Sequence, residues 1–212
     1  LPPDPGAVRI TLLDVGQGLA AVVRTRRHTL VYDTGPGFGP GFDAGRSVLV
    51  PFLRQRGVHE LDMLVVSHGD TDHIGGAESL LRTYSASRIV SSVPDKLPRH
   101  AVSHCRQGQR WNWDGVEFLI LHPGPGSAQA GNNASCVLRV EAAGGHRLLL
   151  TGDIERASEY RLLRSDADAL SADVLVVPHH GSKTSSVPAF IRAVAPDIAV
   201  FPAGHLNRFR FP

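Results

Sequence analysis

Short apolar runs broken by Gly- and Pro-rich turns recur along the chain, and most carry the period of a strand rather than of a helix. Residues 8–13, 20–24 and 29–32 read as three strands, the last two joined by the tight polar turn Arg26-Arg27-His28. Residues 35–45 are dense in Gly and Pro and predict a loop. Residues 47–55 predict a helix closed by Gly57, with Pro51 near its start. Residues 61–67 form a nearly continuous apolar run, which fits a central strand buried on both faces. A helix over 77–83 and a strand over 88–91 follow.

The second half continues in the same way. Asp114-Gly115 between β-prone runs predicts a hairpin whose return strand covers 116–121. Gly144-Gly145 separates strands at 136–141 and 147–150, and a helix over 154–164 follows. Residues 174–177 predict a buried strand, 188–194 a helix and 198–201 a last strand. Hairpins dominate, yet each half carries helices after buried strands, so the fold class is layered α/β. Polar residues fall repeatedly at strand ends: Asp33, residues 68–73, Asp153 and His179-His180. Rigid strands can aim such residues into one crevice.

His68-Gly69-Asp70-Thr71-Asp72-His73 sets four ligand-type side chains within six residues, directly after the buried strand. Metal binding is the reading this density favours, because so many ligands packed together without a cation repel one another. A polar loop with Asp72 as a helix cap is the plain alternative. Mixed imidazole and carboxylate donors suit Zn²⁺ or Mn²⁺, and the excess of carboxylate puts Mn²⁺ first and Zn²⁺ second. A bound cation lowers the pKa of water and neutralises charge growing on a phosphoryl group, so metal-dependent hydrolysis is expected. Asp70, Asp72 and Asp153 are the candidate catalytic carboxylates, with Asp70 or Asp153 orienting the attacking water or accepting its proton.

Ser67-His68-Gly69-Asp70-Thr71-Asp72-His73-Ile74-Gly75-Gly76 resembles the signature of the metallo-β-lactamase superfamily, usually written H-x-H-x-D-H. Tyr32-Asp33-Thr34-Gly35 is similar to an early Asp-containing motif of that superfamily. Thr151-Gly152-Asp153 is similar to the motif whose Asp can bridge two metals, and Pro178-His179-His180-Gly181-Ser182 to a later His ligand motif. A narrower set resembles the C-terminal domain of the ComEC competence family, from about Val8 to the end. It comprises Leu13-Asp14-Val15-Gly16-Gln17-Gly18, Asp70 in place of the second His, Asn132-Asn133-Ala134-Ser135-Cys136-Val137-Leu138, and His179-His180-Gly181-Ser182-Lys183.

The resemblance implies an αββα four-layer sandwich, with residues 1–212 forming one domain of a larger membrane protein. It implies one well-held metal on Asp72, His73, Asp153 and either His179 or His180, and a second, weaker one on His68 and Asp70. The first of the family's two sites is weakened because Asn132 and Asn133 stand where two-zinc members carry a third-motif His. Alternation of side chains at the strand end favours His179 over His180. Asp33 is implied as a supporting hydrogen bonder rather than a ligand. Asn132, Asn133, Ser182 and Lys183 are candidate substrate contacts; a helix cap and a solvated lysine are equal alternatives for the last two.

The resembling family is a polytopic DNA-uptake channel. It implies DNA and the membrane channel portion of the same polypeptide as partners, and a position on the extracytoplasmic side of a bacterial inner membrane. The implied function is a metal-dependent phosphodiesterase, a DNA nuclease that degrades the non-imported strand during natural transformation. Two other functions stay open: a hydrolase of a small phosphodiester or lactone, and a non-catalytic lobe that binds DNA and gates a channel. β-Lactam hydrolysis is disfavoured by Asp70 and by the missing third-motif His.

Composition narrows these readings little. The 212 residues are 42% apolar, enough for a real core, and 20% charged, too few for disorder. Lys+Arg total 22 against 20 Asp+Glu, a net charge of +2, so phosphate affinity must come from local clustering. No stretch approaches the roughly 18 apolar residues of a membrane span, and the Pro-rich start reads as a linker cut from a longer protein. Arg24, Arg26 and Arg27 read as a solvated turn, Trp111 and Trp113 as packing residues, and His122 as a poor stand-in for the missing His. Cys105 and Cys136 alone read as buried thiols; the location implied by the resemblance shifts that expectation to a disulfide.

Overall fold

Alternation of side chains along each strand sorts the apolar residues into three cores, and those cores stack the elements into four layers. The computed structural model describes residues 1–212 except 40, 126–130, 206, 208, 209 and 212. In the first half, strands β1 (Arg9–Leu12), β2 (Ala21–Arg24) and β3 (Thr29–Tyr32) precede a small hairpin of β4 (Gly37–Gly39) and β5 (Phe42–Asp43). A π-helical turn over Gly45–Leu49 leads into α1 (Val50–Gln55), followed by β6 (Leu61–Val66), α2 (Thr71–Ile74), α3 (Ala77–Thr83), β7 (Ala86–Ser91) and β8 (Val102–His104). The second half runs β9 (Arg110–Trp113), β10 (Val116–His122), β11 (Val137–Glu141), β12 (Arg147–Leu150), α4 (Arg156–Asp166), β13 (Val174–Val176), α5 (Pro188–Val194) and β14 (Ile198–Val200).

Two six-stranded sheets result, ordered β1-β2-β3-β6-β7-β8 and β14-β13-β12-β11-β10-β9. Each is antiparallel at its hairpin end and parallel at its helix-connected end. Met63 and Val65 of β6 point into the core between the sheets, where they join Leu138, Val140, Leu148 and Leu150. Leu64 and Val66, on the opposite face, pack with Leu49, Leu53 and Leu80 of the first helical layer. Leu149 and Leu175 do the same for the second sheet against Leu162 and Phe190 of α4 and α5. The expected αββα sandwich is the fold, and β6 owes its unbroken apolar run to burial on both faces.

Local departures have local causes. The expected loop over 35–45 contains the β4–β5 hairpin, and strand β8 carries too few apolar positions to be read from the sequence. Pro51 falls near the start of α1, directly after the π-helical turn, where the regular α-helical bonding has not yet been taken up. Helix α4 starts at Arg156 rather than 154, because Asn133 Oδ1 accepts hydrogen bonds from the backbone N–H of Glu155 (3.1 Å) and Ser158 (3.3 Å) and sets the first turn. Trp111 stacks on Phe118 at 5.1 Å between ring centres, which confirms a packing role for the tryptophan pair.

Cys105 and Cys136 are joined in a disulfide, with both residues buried and their Cα atoms 6.1 Å apart. Cys105 donates its N–H to Ser91 at the end of β7, and Cys136 donates to the Ser67 carbonyl, so the bond ties the two sheets together beside β6. No helix among the described residues is long and apolar enough to cross a membrane.

Candidate metal centre

The polar strand ends converge. Asp33 follows β3, Ser67 and His68 follow β6, Asp153 follows β12, and His180 follows β13. One ligand atom from each of Asp72, His73, Asp153 and His180, a carboxylate O or an imidazole N, lies within 4.8 Å of the others. His73 Nε2 is 3.0 Å from Asp153 Oδ1 and 3.3 Å from His180 Nε2. His180 Nε2 is 3.2 Å from both Asp153 Oδ2 and Asp72 Oδ2, and His73 Nε2 is 4.0 Å from Asp72 Oδ2.

The far side of each ring fixes what the near side offers. His73 Nδ1 lies 2.7 Å from Asp33 Oδ2, and His180 Nδ1 lies 2.8 Å from the Pro202 carbonyl. A carboxylate and a carbonyl only accept, so both Nδ1 atoms donate, and in the neutral rings both Nε2 atoms present bare lone pairs to the cluster. Ser67 Oγ donates to Asp33 Oδ2 at 2.7 Å and therefore accepts from His68 Nδ1 at 3.0 Å. His68 Nε2 is then also proton-free; it is buried without a hydrogen-bond partner, 3.7 Å from Asp70 Oδ2.

These residues fit a cation. A four-coordinate ion with bonds of roughly 2.0–2.1 Å spaces its ligand atoms about 3.3 Å apart, and the cluster spacings of 3.0–4.0 Å bracket that value. Two lone-pair nitrogens facing each other at 3.3 Å between two carboxylates repel unless a positive charge sits among them. The electrostatics point the same way. Burial opposes charge on His73, yet Asp153 and Asp33 outweigh it and raise its pKa well above the ordinary value. Burial likewise opposes charge on His180, but Asp153 and Asp72 hold its pKa at about 9. Asp153, against its own burial, is pulled well below the usual carboxylate range by His73 and His180. Burial lowers His68, whose neighbours do not compensate it.

Of the two adjacent histidines, His180 faces the cluster, and the preference for His179 is corrected. Both residues have positive φ, 49° and 56°, so strand alternation has already ended where it was applied. His179 instead sits at the rim, with Nε2 4.0 Å from Asp153 and Nδ1 3.1 Å from Thr184 Oγ1. Asn132 Nδ2 lies 3.5 Å from His179, while Asn133 serves the start of α4 rather than the cavity. Ser182 turns inward to Thr184 Oγ1 at 3.1 Å and caps no helix, since α5 starts at Pro188 behind Val187, while the exposed Lys183 borders a separate groove with Glu155 and Tyr160. His122 Nδ1 donates to the Ser135 carbonyl at 2.9 Å, and the residue stands apart from the cluster.

A cavity of about 930 Å³ opens above the cluster, lined by Asp70, Asp72, Asp153, His179 and His180. Asp70 is 54% exposed in it. Lys96 and Phe38 also line it, and neither stood out in the sequence. Lys96 lies in the loop after β7, so the strand-end rule that found Asp33 and Asp153 applies to it as well. The turn over residues 13–18 has a backing role. Leu19 N–H donates to the Asp72 carbonyl at 3.2 Å, and a Cβ on Gly18 would fall 2.3 Å from that oxygen.

The metallo-beta-lactamase superfamily model matches residues 13–205. Competence protein ComA of Neisseria gonorrhoeae is 40% identical over 203 residues, covering 96% of this chain and 28% of its own length. Recombination protein 2 of Haemophilus influenzae is 36% identical over 204 residues, covering 96% and 25%. The chain thus spans about a quarter of the length of these curated relatives. A Cronobacter sakazakii metallo-beta-lactamase structure superposes with a TM-score of 0.63 at 15% identity, over 92% of this chain and 91% of that one, a likeness of fold alone.

Proposed function

This chain belongs to the metallo-β-lactamase superfamily, and from that premise we propose that it is a metal-dependent phosphodiesterase, a DNA nuclease working as one part of a DNA-uptake protein. The observation that carries the reading is the Asp72, His73, Asp153 and His180 cluster at the floor of an open cavity. The similarity to competence and recombination proteins over 96% of the chain supports DNA as the substrate. On this reading the domain cleaves the strand that is not imported. It lies on the extracytoplasmic side of the membrane beside the channel portion of the same polypeptide, a location in keeping with the buried disulfide.

Asp72, His73, Asp153 and His180 would hold the ion, Mn²⁺ by first choice and Zn²⁺ by second, and His68 with Asp70 would form a weaker second position. A divalent cation there supplies Lewis-acid polarisation of the phosphoryl oxygen and acidifies nearby water. The protein's own groups do the rest. Asp33 and the Pro202 carbonyl keep His73 and His180 in the ligand tautomer. Both oxygens of Asp153 already face imidazole nitrogens, so with the first position alone filled Asp70, more than half exposed, is left to accept the proton of the attacking water. Water adds to phosphorus, one P–O ester bond breaks, and the released alkoxide takes up a proton.

The test is cleavage of end-labelled single- and double-stranded DNA by metal-stripped protein resupplied with Mn²⁺, Zn²⁺ or Mg²⁺, with Asp72→Ala as control. Metal-dependent cleavage lost in the variant is expected. Cleavage of small phosphodiesters alone would point to the small-substrate reading, and DNA binding without cleavage under every ion to a gating lobe.

A further inference from the structure

Two features of the cavity are not used by the metal cluster. Phe38 is 54% exposed on β4 and Phe42 is 58% exposed on β5, with ring centres 5.2 Å apart. Large apolar rings left in water at a cavity mouth forgo burial that a soluble fold ordinarily claims, which marks them as a contact surface. Phe38 is itself part of the cavity lining. Lys96, one of two lysines in the chain, is the one Lys or Arg among the described lining residues, and its Nζ donates to the Gly69 carbonyl at 2.5 Å.

Both features are fixed relative to the metal ligands. The hairpin rests on the turn that carries Asp72 and His73: a Cβ on Gly75 would fall 2.1 Å from Gly37 N, and one on Gly37 would touch the Thr71 side chain at 3.7 Å. The Ala44 N–H closes the hairpin base onto the Pro36 carbonyl at 2.9 Å. Lys96 lies across Gly69, at the other end of the same loop. An aromatic platform and a cation therefore flank Asp70 and Asp72, and neither has to be ordered when a ligand arrives.

We propose that this cavity takes single-stranded nucleic acid, with an unpaired base stacked on the Phe38–Phe42 pair and a backbone phosphate held by Lys96 beside the one cleaved. The inference rests on the phosphodiesterase reading and specifies its substrate class. A base inside a duplex has neighbours on both faces and offers no free face to Phe38, whereas an unpaired base does. The described lining residues include no row of cations along which a protein tracks duplex phosphates; beyond Lys96 and the histidines, their ionisable groups are carboxylates. One ring pair and one cation match the repeat of a single strand, in which base and phosphate alternate.

Fluorescence anisotropy on the Mn²⁺-loaded protein tests this, using hydrolysis-resistant phosphorothioate oligothymidylate, the same oligomer with abasic spacers, and a blunt duplex of equal length. Phe38→Ala/Phe42→Ala is expected to weaken oligothymidylate binding roughly tenfold and to leave the abasic oligomer unaffected. Lys96→Ala is expected to weaken both and to flatten the salt dependence by about 0.7 in log–log slope. The duplex is expected to bind more weakly than the single strand. Equal binding of oligothymidylate by native and Phe variants, or equal loss of both oligomers, overturns the proposal, as does failure of the native protein to prefer the single strand. DNA cleavage unchanged in the Phe variants overturns it while sparing the nuclease; base-dependent binding by a protein that cleaves nothing does the reverse.

Discussion

Asp33 Oδ2 lies 2.7 Å from His73 Nδ1 with both side chains wholly buried, and the same carboxylate receives the Ser67 hydroxyl and backbone N–H at 2.7 and 2.6 Å. One buried acid thus orients His73 directly and His68 through Ser67. It occupies the left-handed region at φ 57°, a conformation held because the surrounding contacts fix it. Asp33→Asn puts a donor opposite His73 Nδ1–H or turns the amide away from Ser67. Metal affinity is expected to fall about 10–100-fold, read by titration with a chromogenic chelator. Unchanged affinity would leave Asp33 a purely structural acid.

The two histidines after β13 separate in the same assay. His180→Ala removes a ligand atom 3.2 Å from each of two carboxylates, and metal content is expected to drop below one ion per chain. His179→Ala, whose ring is engaged by Thr184 and Asn132, is expected to retain metal. The opposite pattern would restore the strand-alternation assignment.

How much of this was legible in the sequence depended on whether the backbone stayed regular. The buried strand before His68 announced itself because burial on both faces leaves no room for polar residues, and the density of ligands after it announced the centre. The choice at His179-His180 failed where the chain leaves the strand for a turn with two positive φ values, for which a period of two has no meaning. Asn133 looked like a substrate contact because its neighbours resembled a motif; its hydrogen bonds to Glu155 and Ser158 are visible only once α4 is in place. Phe38, on β4, comes near Asp70 only through the packing of the β4–β5 hairpin, and for Lys96 the strand-end position after β7 marks the loop without saying which of its residues faces the cavity.

Removal of the ion makes stability depend on pH in a stated direction. His180 is held at about 9 in the folded chain and relaxes to roughly 6.5 on unfolding; the pKa of His73 is raised in the same sense by Asp153 and Asp33. A raised folded pKa stabilises fully below about pH 6.5 and that contribution is lost as pH climbs through 9. The chelated protein is therefore expected to lose melting temperature between pH 7 and 10. The metal-loaded protein, whose ion replaces those protons and binds better as they leave, is expected to hold it over the same range. Parallel curves for the two forms would separate the histidines from metal binding.

The disulfide closes a loop of 31 residues between the two sheets. A loop of that size is worth about 3–4 kcal/mol in the chain-entropy account. With roughly 2–4 °C per kcal/mol for a chain of this length, Cys105→Ala/Cys136→Ala is expected to melt about 10 °C lower. Cys136 also receives the Tyr32 hydroxyl and reaches the Ser67 carbonyl beneath His68, so a loss of metal affinity should accompany the loss of stability. Reductant acting on the native protein should reproduce both effects, and a melting curve indifferent to reductant and to the double variant would count against the bond.

Asp114 offers a stability effect with no functional one. It sits in the turn between β9 and β10 and accepts from Thr25 Oγ1 (2.7 Å), the Arg27 N–H and Nε (both 2.8 Å) and His28 Nδ1 (3.1 Å), pinning the hairpin of one sheet to the β2–β3 turn of the other. Burial works against its charge, yet these bonds outweigh burial and hold the carboxyl well below the usual range. Removing a charged acceptor from several donors costs about 2–3 kcal/mol, so Asp114→Ala is expected to melt roughly 5–10 °C lower at neutral pH. A depressed folded pKa stabilises above the unfolded value of about 3.9 and loses that contribution as pH falls through the folded one. The gap between native and variant should therefore persist from pH 7 to about 4 and close only in stronger acid. Because this turn lies at the end of the strands away from Asp33 and Asp153, metal content should not change; a variant that melts normally, or that sheds its metal, would show that the staple is misassigned.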